Sequence, residues 1–145
     1  MNPTTLLKAI AAGTIATLAM SAFAAMAPSM GMPPMDLAAM LAGQMGGSLV
    51  LGWAAHLMVG NVLALTFALV ARARLPGPAP LRGALFALAP WLMAQVVMMP
   101  MMGLGLFSGS ALLAGGSLMD HLLFGAVLGL SYRPDATHAP SLAKA

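Results

Sequence analysis

The chain alternates long apolar segments with short connections that contain proline, glycine or polar residues. Four of the apolar segments are long enough to cross a bilayer, since about 20 helical residues span its hydrocarbon core. Pro33-Pro34 cannot continue a membrane helix in the first connection, and three prolines within Leu75–Leu81 indicate a tight second connection. The predicted spans are residues 6–27, 48–71, 83–106 and 111–132.

The sequence also predicts local structure in the connections and near the end of the third span. Met35–Ala42 is expected to form a short helix at the membrane surface, with Asp36 near its N-terminus, where a negative charge suits the helix dipole. Pro100 is expected to kink the third span near its far end. Phe107–Ser110 is predicted to be a short turn.

Composition sets the class of protein. Apolar residues make up 61% of the 145 residues and charged residues only 6%, which is too few to cover the surface of a soluble fold of this length. The prediction is therefore an all-α integral membrane protein, a four-helix bundle formed by residues 1–132 as one domain. The absence of cysteine excludes disulfides, thiolate metal sites and cysteine nucleophiles.

The positive charges predict the orientation in the membrane. They occur at the N-terminus, in the middle connection and after the last span, three places that share one side of a four-span protein. The positive-inside rule assigns that side to the cytoplasm, which predicts a bacterial inner-membrane protein with cytoplasmic termini. Residues 133–145 are predicted to be a disordered cytoplasmic tail. A nucleic-acid partner is not expected, because the charges do not form one basic surface. The basic residues are Lys8, Arg72, Arg74, Arg82, Arg133 and Lys144.

The first span allows two interpretations. Ala9, Gly13, Thr17, Ser21 and Ala25 recur every four positions, which predicts a ridge of small residues on which another helix packs closely. A basic start, an apolar run and an Ala-Phe-Ala sequence also resemble a secretory signal, so cleavage that removes residues 1–24 stays open.

Two similar halves are visible in the sequence. The pattern His-Leu-x-x-Gly-x-Val-Leu-x-Leu occurs at His56–Leu65 and again at His121–Leu130. Lys8–Met30 and Arg82–Leu104, which precede them, each run from a basic residue through an apolar stretch to methionines around a proline. The sequence therefore predicts two helical hairpins in the same orientation, a parallel repeat about an axis along the membrane normal.

Polar residues inside the spans are candidate functional groups, because ionisable side chains are costly within a bilayer. A rise of about 1.5 Å per residue places the two histidines His56 and His121 in one layer of the outer half of the membrane. Both histidines lie on ridges of small residues, so each is expected to face another helix. Asp120 has no counterpart in the first half, where the equivalent residue is Ala55. The intramembrane polar set is Ser21, Asn61, Gln95 and Asp120.

Methionine is unusually frequent, with 15 residues, and thioethers and imidazoles are the ligands that suit Cu(I). The leading hypothesis is an outward-facing Met/His site that binds copper. The alternative is that methionine fills irregular contacts between helices. The predicted metal ligands are His56, His121, Met98, Met99, Met101, Met102, Met32 and Met35.

Two further hypotheses compete with copper binding. His56 and His121 on facing helices would suit the two axial positions of haem b. A structural role is the other alternative, in an accessory subunit of a larger membrane complex or in a homo-oligomer, with the polar residues hydrogen-bonded between helices and Asp120–His121 as a proton-sensitive pair. An enzyme is not expected, because the chain has no glutamate, no H-E-x-x-H, no P-loop and no G-x-S-x-G.

Two motifs carry a resemblance to a known family. Gly31-Met-Pro-Pro-Met-Asp36 and Met98-Met-Pro-Met-Met-Gly-x-Gly-x-Phe107 resemble a family of small bacterial four-helix membrane proteins of unknown function. The likeness extends over roughly Lys8–Tyr132. It implies the membrane fold and no particular activity.

Overall fold

A computed structural model describes residues 3–133 of the chain. The described part is helical, and four of its helical segments are long and apolar enough to cross a membrane. The five main helices are α1 (Pro3–Met26), α2 (Leu37–Gln44), α3 (Leu49–Thr66), α4 (Ala79–Met93) and α5 (Ala111–Ser131). The prediction of an all-α protein with four helices long and apolar enough to span a membrane is confirmed for the described residues, and the predicted tail lies outside them apart from Arg133.

Three helices continue beyond their regular α-helical part. A 3₁₀ turn, Ala27–Met30, extends α1. Wider π turns extend α3 over Phe67–Ala71 and α4 over Ala94–Met98, and Met99–Met101 adds one more turn to α4. The π turn of α4 lies directly before Pro100, whose ring would clash with the carbonyl of Val96 in an α-helix. The kink expected at Pro100 thus takes the form of a widened turn.

The third span differs from its predicted bounds. It runs from Ala79 to Met101, whereas the sequence predicted residues 83–106. Pro80 lies in the first turn of α4, where the backbone N–H that proline lacks would have no helical partner. The sequence assigned Pro80 to the connection, whereas in the structure it helps to start the helix. At the other end, Gly103 and Gly105 adopt positive φ angles and terminate the span early.

The short helix α2 confirms that the first connection contains a helix, shifted by two residues, and its place at the membrane surface stays a prediction. Asp36 is its N-cap and accepts a hydrogen bond from the Ala39 amide at 2.9 Å. The helix lies on α3, where Gly52 allows a close approach, since a Cβ at Gly52 would overlap the carbonyl oxygen of Ala38. The first connection is thereby held against the bundle.

Small residues bring α1 and α3 together. A Cβ at Gly60 would overlap the hydroxyl of Thr17, and a Cβ at Gly13 would lie 2.8 Å from that of Ala64. The predicted ridge on α1 therefore exists from Ala9 to Thr17, where these residues are buried. Such contacts let the helix backbones approach, and dispersion then replaces the hydrophobic driving force that lipid cannot supply.

The contact between α4 and α5 is closer still. A Cβ at Gly83 would overlap the carbonyl of Gly125, and a Cβ at Gly129 would overlap the carbonyl of Ala79. Ala87 completes this seam and is fully buried. Four small residues thus place the backbones of the two helices in direct contact.

α5 is the central helix of the arrangement, because it packs against both α1 and α4, while α1 also packs against α3. Among the described residues, α4 meets the α3 segment at the π turn, where the rings of Phe67 and Phe86 are 5.4 Å apart. A two-fold repeat would make the α1–α5 contact and the α4–α3 contact alike. In the structure α1 packs along α5, whereas α4 meets the α3 segment at the π turn. The two-hairpin repeat therefore stays a prediction.

The two ends of the bundle differ in character. The loop end carries residues 31–48 and 102–110, and the basic end carries the 72–78 connection and Arg133. The largest buried aromatic side chains, Phe67, Phe124 and Tyr132, lie toward the basic end with Leu128. Helices therefore pack tightly toward the basic end, and the cavity described next lies toward the loop end.

Candidate functional site

The candidate site is a cavity of about 270 Å³ between α1, α5 and the first connection. Four methionines line it, and its single ionisable side chain is that of Asp120. The remaining surface is apolar. The lining residues are Phe23, Ala24, Ala27, Met30, Met32, Pro33, Met35, Leu113, Gly116, Met119 and Asp120.

The backbone reversal after α1 creates this cavity. Gly31 has a φ of 78°, a conformation that glycine adopts without strain, and its amide caps the 3₁₀ turn. The amide of Met32 then donates to the carbonyl of Ala27 at 3.1 Å. The reversal carries Met32 back over α5, where a Cβ at Gly116 would lie 2.5 Å from its Cε atom. Gly116 thus provides the space into which Met32 fits.

Asp120 is the unusual group of the cavity. Its side chain is only 6% exposed, and its Oδ1 atom is buried without a hydrogen-bond partner among the described residues. A buried carboxylate oxygen without a donor is costly, and a bound cation would offset that cost. Asp120 therefore gives this cavity a preference for positive charge.

Asp120 and His121 are neighbours in sequence, but their side chains have different surroundings. Successive helix residues point about 100° apart, and His121 does not line the cavity. Its Nδ1 atom lies 2.8 Å from the carbonyl oxygen of Ser117 on the same helix. Because a carbonyl only accepts, Nδ1 carries the hydrogen and the Nε2 lone pair of a neutral His121 remains available to a ligand.

His56 is buried and bonded to α1. Its Nε2 atom lies 3.1 Å from the hydroxyl of Ser21, which donates its own hydrogen to the carbonyl of Thr17 at 2.9 Å. The hydroxyl therefore accepts from His56, so Nε2 is the protonated nitrogen and Nδ1 carries the lone pair. Trp53 packs edge-on against the imidazole, with ring centroids 5.9 Å apart. Axial ligation of haem through Nε2 would require the bond to Ser21 to break.

Gln95 is the best-satisfied polar residue of the predicted set. It is fully buried in the π turn of α4, donates to Ser117 at 3.1 Å and accepts from Ser108 at 2.9 Å. Its amide therefore joins α4, α5 and the turn between them. Nearby, Trp91 donates to the carbonyl of Ala114 at 3.2 Å, which adds a second bond between the same helices.

Asn61 has a local structural partner. The Thr14 hydroxyl donates to its Oδ1 atom at 3.3 Å, which links α1 to α3. Thr14 precedes Ser21 by seven residues, so this bond lies about 10 Å closer to the basic end than the Ser21–His56 bond. Asn61 is thus a packing contact within the α1–α3 interface.

The eight predicted metal ligands do not come together in one place. Met32 and Met35 line the cavity, whereas the methionines of the α4 end do not. Met101 is 75% exposed and Met98 is 37% exposed, while Met99 is buried. Among the described residues, no group of three or more His, Asp or Glu side chains has the spacing of a metal site, so a metal held here would depend on thioethers.

Two cavity methionines were not among the predicted ligands. Met30 ends the 3₁₀ turn and Met119 directly precedes Asp120. The density of methionine before Pro33 was a usable signal for Met30. Met119 carried no signal of its own, because its place at the cavity follows from how α5 packs on α1.

These features define a class, a small α-helical protein with four helices long and apolar enough to cross a membrane and with one acidic group in an otherwise apolar cavity. Within that class the chain belongs to a family of unknown function (DUF6789), which it matches over residues 3–142. The expected resemblance to a family of unknown function is confirmed, whereas the two motifs and the bacterial origin stay predictions. No curated protein and no solved structure is significantly similar to the chain.

Proposed function

We propose that this protein binds Cu(I) in the methionine-lined cavity and that it does so without catalysing a reaction. The observation that supports the proposal is the cavity itself, which is lined by four methionines and by Asp120, whose buried Oδ1 atom has no partner among the described residues. Thioethers are soft ligands that favour Cu(I), and one carboxylate balances the charge of one monovalent cation. The site is Met30, Met32, Met35, Met119 and Asp120.

The dimensions and lining favour a metal ion over an organic cation. A volume of about 270 Å³ is below the range of about 300–1,000 Å³ that is usual for small-molecule pockets. An organic cation would also be expected to meet aromatic faces, whereas Phe23 is the single aromatic residue of the lining. Thioethers contribute little to binding an ammonium group, so the four methionines favour the metal.

The two histidines would then have a supporting role. The ring nitrogen of His121 that bears a hydrogen bonds to the Ser117 carbonyl, which is the pattern by which proteins orient histidine ligands. His121 follows Asp120 directly on α5, so it would offer a second binding position next to the cavity. This arrangement replaces the ligand set that included Met98 and Met101.

The proposal also covers the orientation and organisation of the protein. The arginines at the basic end support cytoplasmic termini in a bacterial inner membrane, with the cavity toward the outer side. Copper would therefore enter from outside. The similar sequences that begin at His56 and His121 support an origin from two parallel hairpins.

Copper affinity of the purified, detergent-solubilised protein tests the proposal. Titration with Cu(I) against a chromophoric chelator is expected to give about one ion per chain. Met32→Leu and Met35→Leu together should lower the affinity tenfold or more. Loss of an outer-shell partner of a metal ligand already lowers affinity about 10–100-fold, and these substitutions remove direct ligands. Asp120→Asn should also lower it, because it removes the balancing charge.

A matched control is the pair Met98→Leu and Met101→Leu, which removes the same number of thioethers at exposed positions outside the cavity. Equal losses in both double variants would contradict the site. Absence of stoichiometric copper would contradict the function and leave the structural, accessory-subunit interpretation. A Soret band that disappears in His121→Ala would instead support haem b.

A further inference from the structure

The basic end of the bundle carries an unbalanced positive charge. Arg72 and Arg74 follow α3, Arg82 lies near the start of α4, and Arg133 follows α5. The carboxylates of the described residues are those of Asp36 and Asp120, both toward the loop end. No ion pair with a described carboxylate therefore balances these arginines.

Arg72 is held in place although its charge has no partner. Its guanidinium lies over the ring of Tyr132, 5.7 Å from the centroid, and that ring packs edge-on against Phe67. The Nε atom is buried and makes no hydrogen bond within the described chain. A buried donor without an acceptor is unfavourable, so the acceptor is expected to come from outside these residues.

Arg82 has the same property on the neighbouring helix. It directly precedes Gly83, whose contact with Gly125 fixes the start of α4 against the last turns of α5. Its Nε atom is likewise buried without a partner among the described residues. Tyr132, whose ring lies under Arg72, directly follows the last residue of α5. Arg72 and Arg82 therefore both lie beside the same end of α5.

Arg74 shows how such an arginine is satisfied within the chain. Its Nη1 atom donates to the carbonyl of Val70 at the end of α3, an acceptor that the helix end provides. Within the described part of the chain, Arg72 and Arg82 have no comparable bond. Arg72 and Arg82 therefore each have an N–H donor available to an external acceptor, whereas Arg74 already donates to a carbonyl.

We propose that Arg72 and Arg82 form a binding site for the phosphate group of an anionic phospholipid at the basic end of the bundle. Guanidinium groups bind phosphate oxygens through charge-assisted hydrogen bonds, and basic pockets between membrane helices bind anionic headgroups. Both arginines lie where spans end, at the level expected for the headgroups, and the buried ring of Tyr132 packs beneath Arg72. This site is independent of the copper cavity at the other end.

Native mass spectrometry of the purified protein tests the site. Titration with phosphatidylglycerol and, separately, phosphatidylcholine should give tighter binding of the anionic lipid. Arg72→Gln and Arg82→Gln should each weaken phosphatidylglycerol binding about fivefold, as expected for loss of one interfacial positive charge. Arg74→Gln is the matched control and should change it little.

A second pair of variants separates the site from a fold defect. Arg72→Lys and Arg82→Lys keep the charge but lose the Nε donor, so they should retain part of the lipid binding. Equal loss in Arg74→Gln and Arg72→Gln would overturn the proposal, because it would indicate unspecific surface charge. Displacement of the lipid by inorganic phosphate at the same concentration would also overturn it, in favour of a soluble anion. Unchanged binding in both glutamine variants would likewise overturn it.

Discussion

Single polar residues in this bundle fall into two kinds. Gln95, Asn61 and His56 each have a partner on another helix or turn, so their role is to specify which elements pack together. Asp120 has a buried oxygen without a partner and faces a cavity. Such a group is costly in free energy within a bilayer, and the proposed binding of a cation would offset that cost.

Replacing Gln95 by leucine should destabilise the protein by about 1 kcal/mol, because Ser108 and Ser117 would both lose a buried partner. Thermal unfolding in detergent measures the change. Gln44→Leu is the control, since Gln44 is exposed at the end of α2. Equal melting temperatures for the two variants would contradict the structural role of Gln95.

The sequence could predict some of these residues and not others. Asp120 stood out because no repeat partner matched it, and Gln95 because amides are rare in apolar spans. The partner Ser108 could not be predicted, because its φ of 58° in the turn before α5 is a conformation that sequence patterns do not specify for serine. The turn depends on the bond to Gln95, which is a tertiary contact.

At the scale of elements, glycine positions decide how closely the helices pack. The contact of α4 with α5 depends on Gly83, Gly125 and Gly129, where carbonyl groups occupy the space of a side chain. Apolar length alone predicted the existence of four apolar helices of spanning length, since it reflects bilayer thickness, but it did not predict the bounds of the third. It did not predict which helices touch, because small residues occur on every span.

Gly125→Ala should therefore destabilise the protein by about 1–3 kcal/mol, the usual cost of overpacking a close contact. The same substitution at Gly115, on the same helix, meets no atom within 4 Å. Gly115→Ala should stabilise the helix by about 0.5–1 kcal/mol through its better propensity. Unfolding of both variants in one detergent compares them directly, and effects of the same sign would contradict the assigned interface.

At the scale of the whole molecule, the two ends would serve different tasks. The loop end holds the cavity beneath a proline-rich reversal, and the basic end holds tight aromatic packing and the arginines that we propose to bind a lipid phosphate. The cavity escaped prediction because it requires the turn at Gly31 and the packing of α5 on α1 together. The sequence indicated methionine ligands but divided them between the first connection and the end of the third span. The fold keeps these two segments apart.

Orientation is directly testable because the chain has no native cysteine. Ser29→Cys and Ala73→Cys introduce one thiol at exposed positions of the loop end and the basic end, respectively. A membrane-impermeant maleimide applied to spheroplasts should label Ser29→Cys and leave Ala73→Cys unlabelled until the membrane is disrupted. The reverse pattern would contradict cytoplasmic termini and a cavity toward the outer side.

The central claim is that thioethers of the cavity bind Cu(I), and X-ray absorption at the copper edge measures this most directly. The copper-loaded protein should show at least two sulfur neighbours, and the Met32→Leu/Met35→Leu variant should show fewer sulfur neighbours per copper ion. The Met98→Leu/Met101→Leu variant should keep the spectrum of the unaltered protein. A first shell of nitrogen and oxygen alone, or a sulfur shell that disappears in the Met98/Met101 variant, would contradict the account.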